Sequence, residues 1–274
     1  MININDYAVL QNGVKMPWVG FGTYKVKDLE TAKNSIKEAL KLGYRHIDTA
    51  SFYQNEEEIG IGIKESGVPR EEIFLVSKVW NTDQGYEKTL ESFKTSLKKL
   101  DTDYLDLYLI HWPKELSKET WKALEKLYKE GKVRSIGVSN FNVHHLEELM
   151  EDAEIIPMVN QVEYHPQFPQ TEVHEFCKKH NIQLEAWGPL MRGKILEIPL
   201  MQELAKKYGK SISQITLRWD LQMGVVTIPK SITPERIKEN IDLYDFEITS
   251  EDMEKIASLN TGERIGPDPD HITF

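Results

Sequence analysis

Four side chains with complementary chemistry fall at or near the ends of predicted strands: a carboxylate, a phenol, an amine and an imidazole. Asp48 and Tyr53 lie five residues apart in a polar loop. A phenol has an ordinary pKa of about 10 and is a poor acid at neutral pH, but a nearby cation lowers that pKa. Lys78 and His111 end the next two predicted strands and can bring a cation and a second polar group to the phenol. Asp48 alone is more typical of a helix cap and Tyr53 of a surface contact, so the proton-transfer hypothesis rests on the four residues together.

The elements that position these side chains repeat along the chain as a short apolar strand followed by an amphipathic helix. A hairpin, indicated by Asn12-Gly13 between two short apolar runs, precedes them. The predicted strands cover residues 18–22, 44–47, 73–77, 104–110, 133–138, 158–162, 182–186 and 225–228, and the predicted helices cover 29–42, 86–100, 118–129, 143–150, 172–179, 200–208, 213–221, 234–241 and 250–259, with one more from residue 56. Eight such units in about 250 residues predict one α/β domain, residues 1–274, folded as a (β/α)8 TIM barrel with an N-terminal β-hairpin and extra C-terminal helices.

An open, doubly wound sheet is the alternative architecture. It would need a Gly-x-Gly-x-x-Gly turn after an early strand. Gly20 and Gly22 are followed by threonine, tyrosine and lysine, so the third glycine of that motif is missing. The closed barrel is therefore favoured.

Composition and charge argue against several classes of function. The 274 residues carry a formal net charge of -10, whereas proteins that bind nucleic acids or anionic membranes favour the opposite sign. The single cysteine, Cys177, rules out an intrachain disulfide and a cysteine-based metal cluster. The first residues lack the features of a signal peptide, and no apolar run approaches the roughly 20 residues of a membrane helix. We therefore predict a cytoplasmic protein without nucleic-acid or membrane partners.

The spacing of histidines does not predict a metal site. His174 and His180 lie six residues apart and share a helical face poorly. The adjacent His144 and His145 are expected to point apart. No metal is therefore expected.

Polar or aromatic residues follow or end all eight predicted strands, which is where barrel enzymes carry their chemistry. The residues at these strand ends include Gly22, Thr23, Tyr24, Asp48, Lys78, Trp80, His111, Trp112, Ser139, Asn140, Gln161, Trp187, Gly188, Lys230 and Ser231. For single residues other interpretations stay open, because Ser139-Asn140 could cap a helix, Gln161 could be a turn residue and Trp187 could belong to the core. The complete ring indicates an active site.

A second cluster surrounds the start of the predicted helix 234–241. Lys230, Ser231 and Thr233 precede this helix, and Arg236 lies in its first turn. A helix N-terminus with a nearby lysine and arginine is suited to bind phosphate. A capped, solvated surface helix is the alternative, but three basic residues within nine positions of an acidic chain favour phosphate.

Over essentially its whole length the sequence resembles the aldo-keto reductase family. The matching segments are Gly22-Thr23-Tyr24, residues 43–53, Ser77-Lys78, and residues 110–113, 137–142, 159–166, 186–190 and 228–240. Residues 186–194 and the short tail resemble the prokaryotic branch, which includes methylglyoxal/glyoxal reductases and 2,5-diketo-D-gluconate reductases. The resemblance implies a barrel, monomeric by family precedent, that reduces small-molecule carbonyl substrates (methylglyoxal, aromatic aldehydes or keto sugars) with NADPH, forming NADP+.

The resemblance also implies a role for each rim residue. Tyr53 would be the general acid, Lys78 paired with Asp48 would lower its pKa, and His111 would orient the carbonyl. Ser139, Asn140 and Gln161 would hold the nicotinamide carboxamide and Trp187 would stack on the ring. The substrate pocket would comprise Tyr24, Trp80, His111 and Trp112. The implied cofactor-binding set is Gly22, Thr23, Tyr24, Asp48, Ser139, Asn140, Gln161, Trp187, Gly188, Leu190, Arg192, Lys230, Ser231, Ile232, Thr233, Arg236, Glu239 and Asn240.

The sequence departs from the family pattern at the cofactor and substrate rims. Gly188 stands where many relatives have serine, which removes one hydroxyl. Residues 191–193 replace a long strap, so Arg192 or backbone amides are expected to cover the pyrophosphate. The tail after Leu259 is short, and we expect it to leave a more open pocket.

Two other functions stay open. A cofactor-binding module without physiological turnover would share the fold, but the intact set of Asp48, Tyr53, Lys78 and His111 favours an enzyme. An unrelated barrel lyase or isomerase would leave residues 230–240 without a purpose.

Overall fold

Strands and helices alternate along the chain in the computed structural model, which describes residues 3–4, 6–26 and 28–274. Residues 1, 2, 5 and 27 of the predicted domain lie outside the described residues. The strands are β1 Tyr7–Val9, β2 Lys15–Pro17, β3 Phe21–Gly22, β4 His46–Asp48, β5 Phe74–Val79, β6 Leu107–Ile110, β7 Ile136–Ser139, β8 Val159–Glu163, β9 Gln183–Trp187 and β10 Val226–Thr227. The helices are α1 Leu29–Lys41, α2 Glu56–Ser66, α3 Tyr86–Leu100, α4 Ser117–Lys129, α5 Val143–Met150, α6 Thr171–Lys179, α7 Pro199–Tyr208, α8 Ile212–Gln222, α9 Pro234–Ile241 and α10 Ser250–Ala257.

The eight strands β3 to β10 form one parallel sheet in which each strand pairs with its neighbours in chain order. The two edges meet, because Val19 bridges Thr227 in parallel and the Gly20 amide donates to the Thr227 carbonyl at 2.9 Å. A second bond of 3.1 Å joins the Gly22 amide to the Pro229 carbonyl. The predicted (β/α)8 barrel is confirmed.

The helices form because their apolar residues recur on one face. In α1, Ala32, Ile36, Ala39 and Leu40 are buried at the spacing of a helical stripe. Asp28 caps this helix by accepting a hydrogen bond from the Thr31 amide. The stripe faces the barrel and leaves the charged residues in solvent.

Most strands begin and end later in the chain than the apolar runs predicted. The predicted strand 133–138, for example, is Ile136–Ser139 in the structure, and 44–47 is His46–Asp48. The hydrogen bonds between the strands continue beyond the apolar runs into buried polar residues. A prediction from apolar runs alone leaves these polar residues out of the strands. Asp48, Lys78, Ser139 and Gln161 therefore lie within the strands, which hold their backbones rigidly.

The predicted hairpin is confirmed as the antiparallel pair β1–β2. It lies across the end of the barrel at which the strands begin: Asn12 Nδ2 donates to the Arg134 carbonyl and Gln11 Nε2 to the Pro157 carbonyl. The opposite end, where the strands finish, carries the polar ring. Within the described part of the chain, no helix is both long enough and apolar enough to span a membrane.

Candidate active site

A buried ion pair lies at the centre of the polar ring. Lys78 Nζ is 2.7 Å from both carboxylate oxygens of Asp48 and 2.9 Å from the Thr49 carbonyl. Both charged side chains are almost completely removed from solvent. The three donors of the ammonium group all have acceptors, which a buried charge requires. The pair joins β4 to β5, as the ends of neighbouring strands allow.

Tyr53 ends a short 3-10 helix, Ser51–Tyr53, that follows β4. Lys78 Nζ lies 5.2 Å from the centre of its ring. Desolvation by the surrounding protein raises the pKa of Tyr53 well above its ordinary value, and the Asp48 charge adds to this effect. This direction is opposite to the predicted one, because desolvation dominates and Asp48 balances the charge of Lys78 at short range. The phenol therefore keeps its proton at neutral pH.

His111 lies beside Tyr53, with the two ring centres 5.7 Å apart and the planes nearly perpendicular. Burial lowers the pKa of His111 well below its ordinary value, and the nearby Lys78 charge lowers it further. The imidazole is therefore neutral at neutral pH and offers one donor and one acceptor. Its Nδ1 has no hydrogen-bond partner among the residues that the structure describes.

Aromatic side chains surround this polar centre. Tyr24 packs against Tyr53 with ring centres 5.0 Å apart. Trp80 packs edge-on against His111, with the two ring centres 5.0 Å apart. Trp112, which follows His111 in the chain, is buried. The three predicted pocket aromatics therefore lie on one rim, as the order of the strands requires.

Two further aromatic residues in this wall were missed by the sequence analysis. Phe52 stacks on Trp80 at 3.8 Å between ring centres. Phe274 lies parallel to Trp80 at 5.7 Å and edge-on to Trp112 at 5.5 Å. Phe52 could have been found from its place beside Tyr53, whereas no local signal indicates Phe274. The tail residue Phe274 therefore covers part of the aromatic wall, and the expectation that the short tail leaves a more open pocket stays a prediction.

The polar residues predicted to hold the cofactor form one hydrogen-bonded network. Asn140 Nδ2 donates to the His111 carbonyl at 2.9 Å, and Asn140 Oδ1 accepts from Trp187 Nε1 at 2.7 Å. Ser139 Oγ donates to the Gln161 carbonyl at 2.8 Å. Gln161 Nε2 donates to Asp48 Oδ2 at 2.8 Å, which links this network to the ion pair. None of the four is only a turn or cap residue, and the Trp187 ring is anchored at its indole nitrogen.

The loop after β3 is held against the same rim. Thr23 Oγ1 donates to the Asp48 carbonyl at 2.9 Å, and the Gly22 amide is used in closing the barrel. Asn55, which the sequence analysis missed, donates to the Thr23 carbonyl at 3.0 Å and accepts from Thr49 Oγ1 at 2.8 Å. Tyr24 remains exposed at the end of this braced loop.

The tail crosses the rim and contacts Trp187. The amides of Ile265 and Gly266 donate to the two carboxylate oxygens of Glu163 at 2.6 and 2.9 Å. A Cβ added to Gly266 would lie 2.3 Å from Trp187 Cη2, so only glycine allows the tail this close to the indole. Glu163 is another residue that the sequence analysis missed, because two of its partners come from the distant tail.

Residues 188–193 form a tight turn. Gly188, Met191, Arg192 and Gly193 all have positive φ angles, between 52° and 96°. The Gly193 amide donates to the Leu190 carbonyl at 2.8 Å. Leu190 is half-buried and Arg192 is exposed at the tip. The turn therefore presents Arg192 to solvent, where it can reach a ligand.

The predicted phosphate residues gather around the start of α9. The Thr233 amide donates to Ser231 Oγ at 3.1 Å, and in the described part of the chain no side chain caps this helix. Lys230, Ile232 and Arg236 are exposed around this uncapped start. Asn240 and Glu239 lie one turn further on, Asn240 buried and Glu239 accepting from Ser211 Oγ at 2.6 Å.

His144 and His145 do not point apart as expected. Their Nε2 atoms lie 2.9 and 3.2 Å from the same oxygen of Asp270 in the tail. The first turn of α5 therefore contacts the tail. The positions of two adjacent histidines on a helix did not indicate this contact. His145 Nδ1 accepts a hydrogen bond from the Asn142 amide, so the proton of the neutral ring is on Nε2, the atom that lies 3.2 Å from Asp270 Oδ1.

Comparison with known proteins agrees with this geometry. The model of the Aldo/keto reductase family matches residues 18–261. The glyoxal reductase of Bacillus subtilis (strain 168) is 60% identical over 99% of both chains, and the methylglyoxal reductase DkgA of Salmonella typhimurium is 46% identical over 96% of both. The crystal structure of MGS-M4, an aldo-keto reductase from a Medee basin deep-sea metagenome, has a TM-score of 0.95 at 54% identity and covers 97% of this chain and 100% of its own. A mutant of Gox0644 in complex with NADPH has a TM-score of 0.94 at 41% identity, with 98% of both chains covered.

Proposed function

Because the chain belongs to the aldo/keto reductase family and is an NADPH-dependent oxidoreductase, we propose that it reduces small aldehydes and ketones to alcohols with Tyr53 as the proton donor. The observation that carries this proposal is the buried pair of Lys78 and Asp48 beside a protonated phenol, at the mouth of the barrel. The names of the similar glyoxal and methylglyoxal reductases support small dicarbonyl compounds as substrates.

Tyr53 is suited to give a proton to a carbonyl oxygen that is becoming an alkoxide. The raised pKa keeps the phenol protonated at the start of the reaction. An alkoxide is a much stronger base than a phenolate, so transfer from the phenol remains favourable. Lys78 lies close enough to stabilise the phenolate that forms, because opposite charges favour the ionised phenol.

His111 is suited to orient the carbonyl oxygen towards Tyr53. The neutral ring can donate one hydrogen bond without adding a charge to the site. Its edge-on packing against Tyr53 and Trp80 restricts the orientation of the ring. The substrate oxygen would therefore lie between the phenol and the imidazole.

The residues around the rim fit NADPH, which when bound supplies the hydride. Trp187, held by Asn140, offers a flat aromatic face. Gln161 has its amide nitrogen committed to Asp48, which leaves its oxygen to accept from a carboxamide. The start of α9, with Lys230 and Arg236 exposed around it, offers the positive end of a helix dipole and two positive charges to a phosphate group.

The walls of the pocket support a range of carbonyl substrates. Phe52, Trp80, Trp112 and Phe274 form an apolar and aromatic surface around His111. Such a surface suits methylglyoxal and aromatic aldehydes, whereas the polar groups of a keto sugar would have fewer partners there. The charge of -10 and the single cysteine support a cytoplasmic location without nucleic-acid partners as parts of this proposal. A monomeric state, which follows family precedent, and one domain over residues 1–274 are also parts of it.

The substitution Tyr53→Phe tests the proposal because it removes only the phenolic hydroxyl. We expect turnover of methylglyoxal and of an aromatic aldehyde to fall by at least about 100-fold. NADPH affinity, measured by fluorescence titration, should change by less than about threefold, since ring packing is retained. A diketo sugar acid belongs in the same panel as the third class of carbonyl.

Three outcomes are distinguishable. Wild-type turnover that the variant loses while it still binds NADPH supports the reductase. NADPH binding by the wild type without turnover of any carbonyl supports a binding module instead. An equally active variant would exclude Tyr53 as the proton donor.

A further inference from the structure

A second buried pair of titratable residues lies in the barrel interior and has no part in the mechanism above. Glu185 belongs to β9 and His46 to β4, and neither side chain is accessible to solvent. His46 precedes Asp48 by two residues, so the two side chains lie on the same face of β4. His46 Nε2 lies 3.2 Å from Glu185 Oε1. The pair is therefore close to the Asp48 carboxylate that holds Lys78.

The contacts of this pair require a proton between them. His46 Nε2 and Glu185 Oε1 have no hydrogen-bond partner among the described residues, and they face each other at 3.2 Å. His46 Nδ1 lies 3.4 Å from the Pro17 carbonyl, which can only accept, so Nδ1 carries a proton. A neutral imidazole then has a bare Nε2, and a bare carboxylate facing it would leave two buried acceptors in contact. A proton on Glu185 Oε1 removes this repulsion between the two atoms.

Burial favours this neutral arrangement over two separate charges. Desolvation raises the pKa of Glu185 to about 8, and the Asp48 charge raises it too. Desolvation also lowers the pKa of His46 to about 4. The pair therefore holds one shared proton and no net charge at neutral pH.

The amide of Gln161 connects this pair to the active site. Its Nε2 donates to Glu185 Oε2 and to Asp48 Oδ2, both at 2.8 Å. Gln161 and Glu185 are direct partners in the pairing of β8 with β9. One amide nitrogen thus uses both hydrogens on two carboxyl groups, which fixes the orientation of the amide.

The interior is shaped to accept the imidazole at this place. A Cβ added to Gly20 would lie 2.8 Å from the His46 ring, so the glycine makes the room that the ring occupies. The Phe74 ring packs edge-on against His46 on another side, with ring centres 5.1 Å apart. The partner of Glu185 on β10 is the apolar Val226. The titratable or charged groups that face Glu185 are His46 and Asp48 from β4, Lys78 from β5 and Tyr53 from the loop after β4.

We propose that Glu185 is a positioning residue of the reductase: it shares a proton with His46, holds the Gln161 amide in one orientation and leaves the Asp48 carboxylate to balance Lys78. This proposal rests on the proposed function, because Glu185 acts on the reaction through Gln161 and Tyr53. Ionisation of Glu185 would place a second negative charge across the Gln161 amide. That charge disfavours the phenolate of Tyr53, so proton donation becomes slower as the pH rises.

The substitution Glu185→Gln keeps the shape and imitates the protonated carboxyl, since an amide can donate to His46 and accept from Gln161. We expect its kcat at pH 7 to lie within about threefold of wild type. The wild-type kcat should fall by up to about tenfold per pH unit above pH 8, whereas that of Glu185→Gln should stay level or begin to fall at least about one unit higher. Coincident pH profiles of two folded, active proteins would overturn the proposal.

A second variant and a direct titration test the two parts separately. Glu185→Leu removes the acceptor for Gln161, and its NADPH dissociation constant should rise by about tenfold while that of Glu185→Gln changes little. In wild-type protein with carbon-13 labelled glutamate carboxyls, one carboxyl resonance should titrate near pH 8. If every glutamate titrates below about pH 6, the shared proton is excluded, whether or not either variant folds. Wild-type protein that binds NADPH without turning over any carbonyl would count against the proposed function, and the carboxyl titration would still decide the state of Glu185.

Discussion

At the scale of single residues, the site is organised by where charges are balanced. Lys78 and Asp48 neutralise each other at 2.7 Å, Glu185 and His46 share one proton, and His111 is neutral. Tyr53 therefore works in a site with little net charge. The pKa of Tyr53 is raised because the phenol is buried, and the charge of Lys78 does not lower it because Asp48 compensates that charge.

Removal of one member of the ion pair should be costly. In Lys78→Met, the Asp48 carboxylate would stay buried with only neutral hydrogen-bond partners such as Gln161 Nε2. We expect the free energy of unfolding to fall by about 3–5 kcal/mol, because an unpaired buried charge is left. Urea denaturation of the single variants Lys78→Met and Asp48→Asn and of the double variant that combines them measures this. The double variant should recover part of the loss, and a double variant less stable than both single variants would contradict the account. Lys78→Met and the double variant should both have lost most reductase activity.

At the scale of elements, the strands position the proposed catalytic groups and the tail completes the rim. Glu163 at the end of β8 accepts from two tail amides, and one oxygen of Asp270 lies 2.9 and 3.2 Å from the Nε2 atoms of His144 and His145 on α5. These contacts place Gly266 against Trp187 and Phe274 against Trp80. The tail is therefore a structural part of both the proposed cofactor wall and the proposed substrate wall.

The substitution Glu163→Gln should loosen this contact, because an amide offers one acceptor oxygen where two backbone donors need partners. We expect the NADPH dissociation constant to rise about 5- to 10-fold and the tail to be cleaved faster in limited proteolysis. The matched control is Glu263→Gln, the same change at an exposed tail residue. Equal behaviour of the two variants would show that Glu163 does not anchor the tail.

At the scale of the whole molecule, burial of an acid in the barrel links stability to pH. The pKa of Glu185 rises to about 8 in the folded protein, whereas an unfolded glutamate has a pKa of about 4.3. The folded state thus binds the extra proton, and the stability it provides is complete below the unfolded pKa and is lost as pH rises through the folded pKa. His46, whose folded pKa is lowered to about 4, acts in the opposite direction below its ordinary pKa of about 6.5. A comparison of two proteins that both retain His46 removes that contribution.

We therefore expect Glu185→Gln to gain stability relative to wild type as the pH rises from 5 to 8. The gain should approach about 1.4 kcal/mol per pH unit, the free energy of one proton per unit. Urea denaturation of both proteins at pH 5, 6, 7 and 8 measures the difference. A difference that stays constant across this range would mean that Glu185 is ionised in the folded protein.

Much of the architecture and of the site is determined by the sequence itself. The alternation of apolar strands and amphipathic helices is local, so it predicts the barrel, and the end of each strand predicts which side chains meet at one rim. Asp48, Lys78, His111 and Gln161 were found in this way, because parallel strands bring their ends together whatever the details of packing.

Other features were decided only by the tertiary structure. The sharing of a proton by Glu185 and His46 depends on a distance across the barrel, and the raised pKa of Tyr53 depends on burial and on the balance between Lys78 and Asp48. The place of Phe274 on Trp80 depends on how the tail is fastened far along the chain from that tryptophan. Local sequence patterns carry information about neighbours along the chain, whereas proton positions, pKa shifts and tail contacts depend on distances between residues that only the closed barrel brings together.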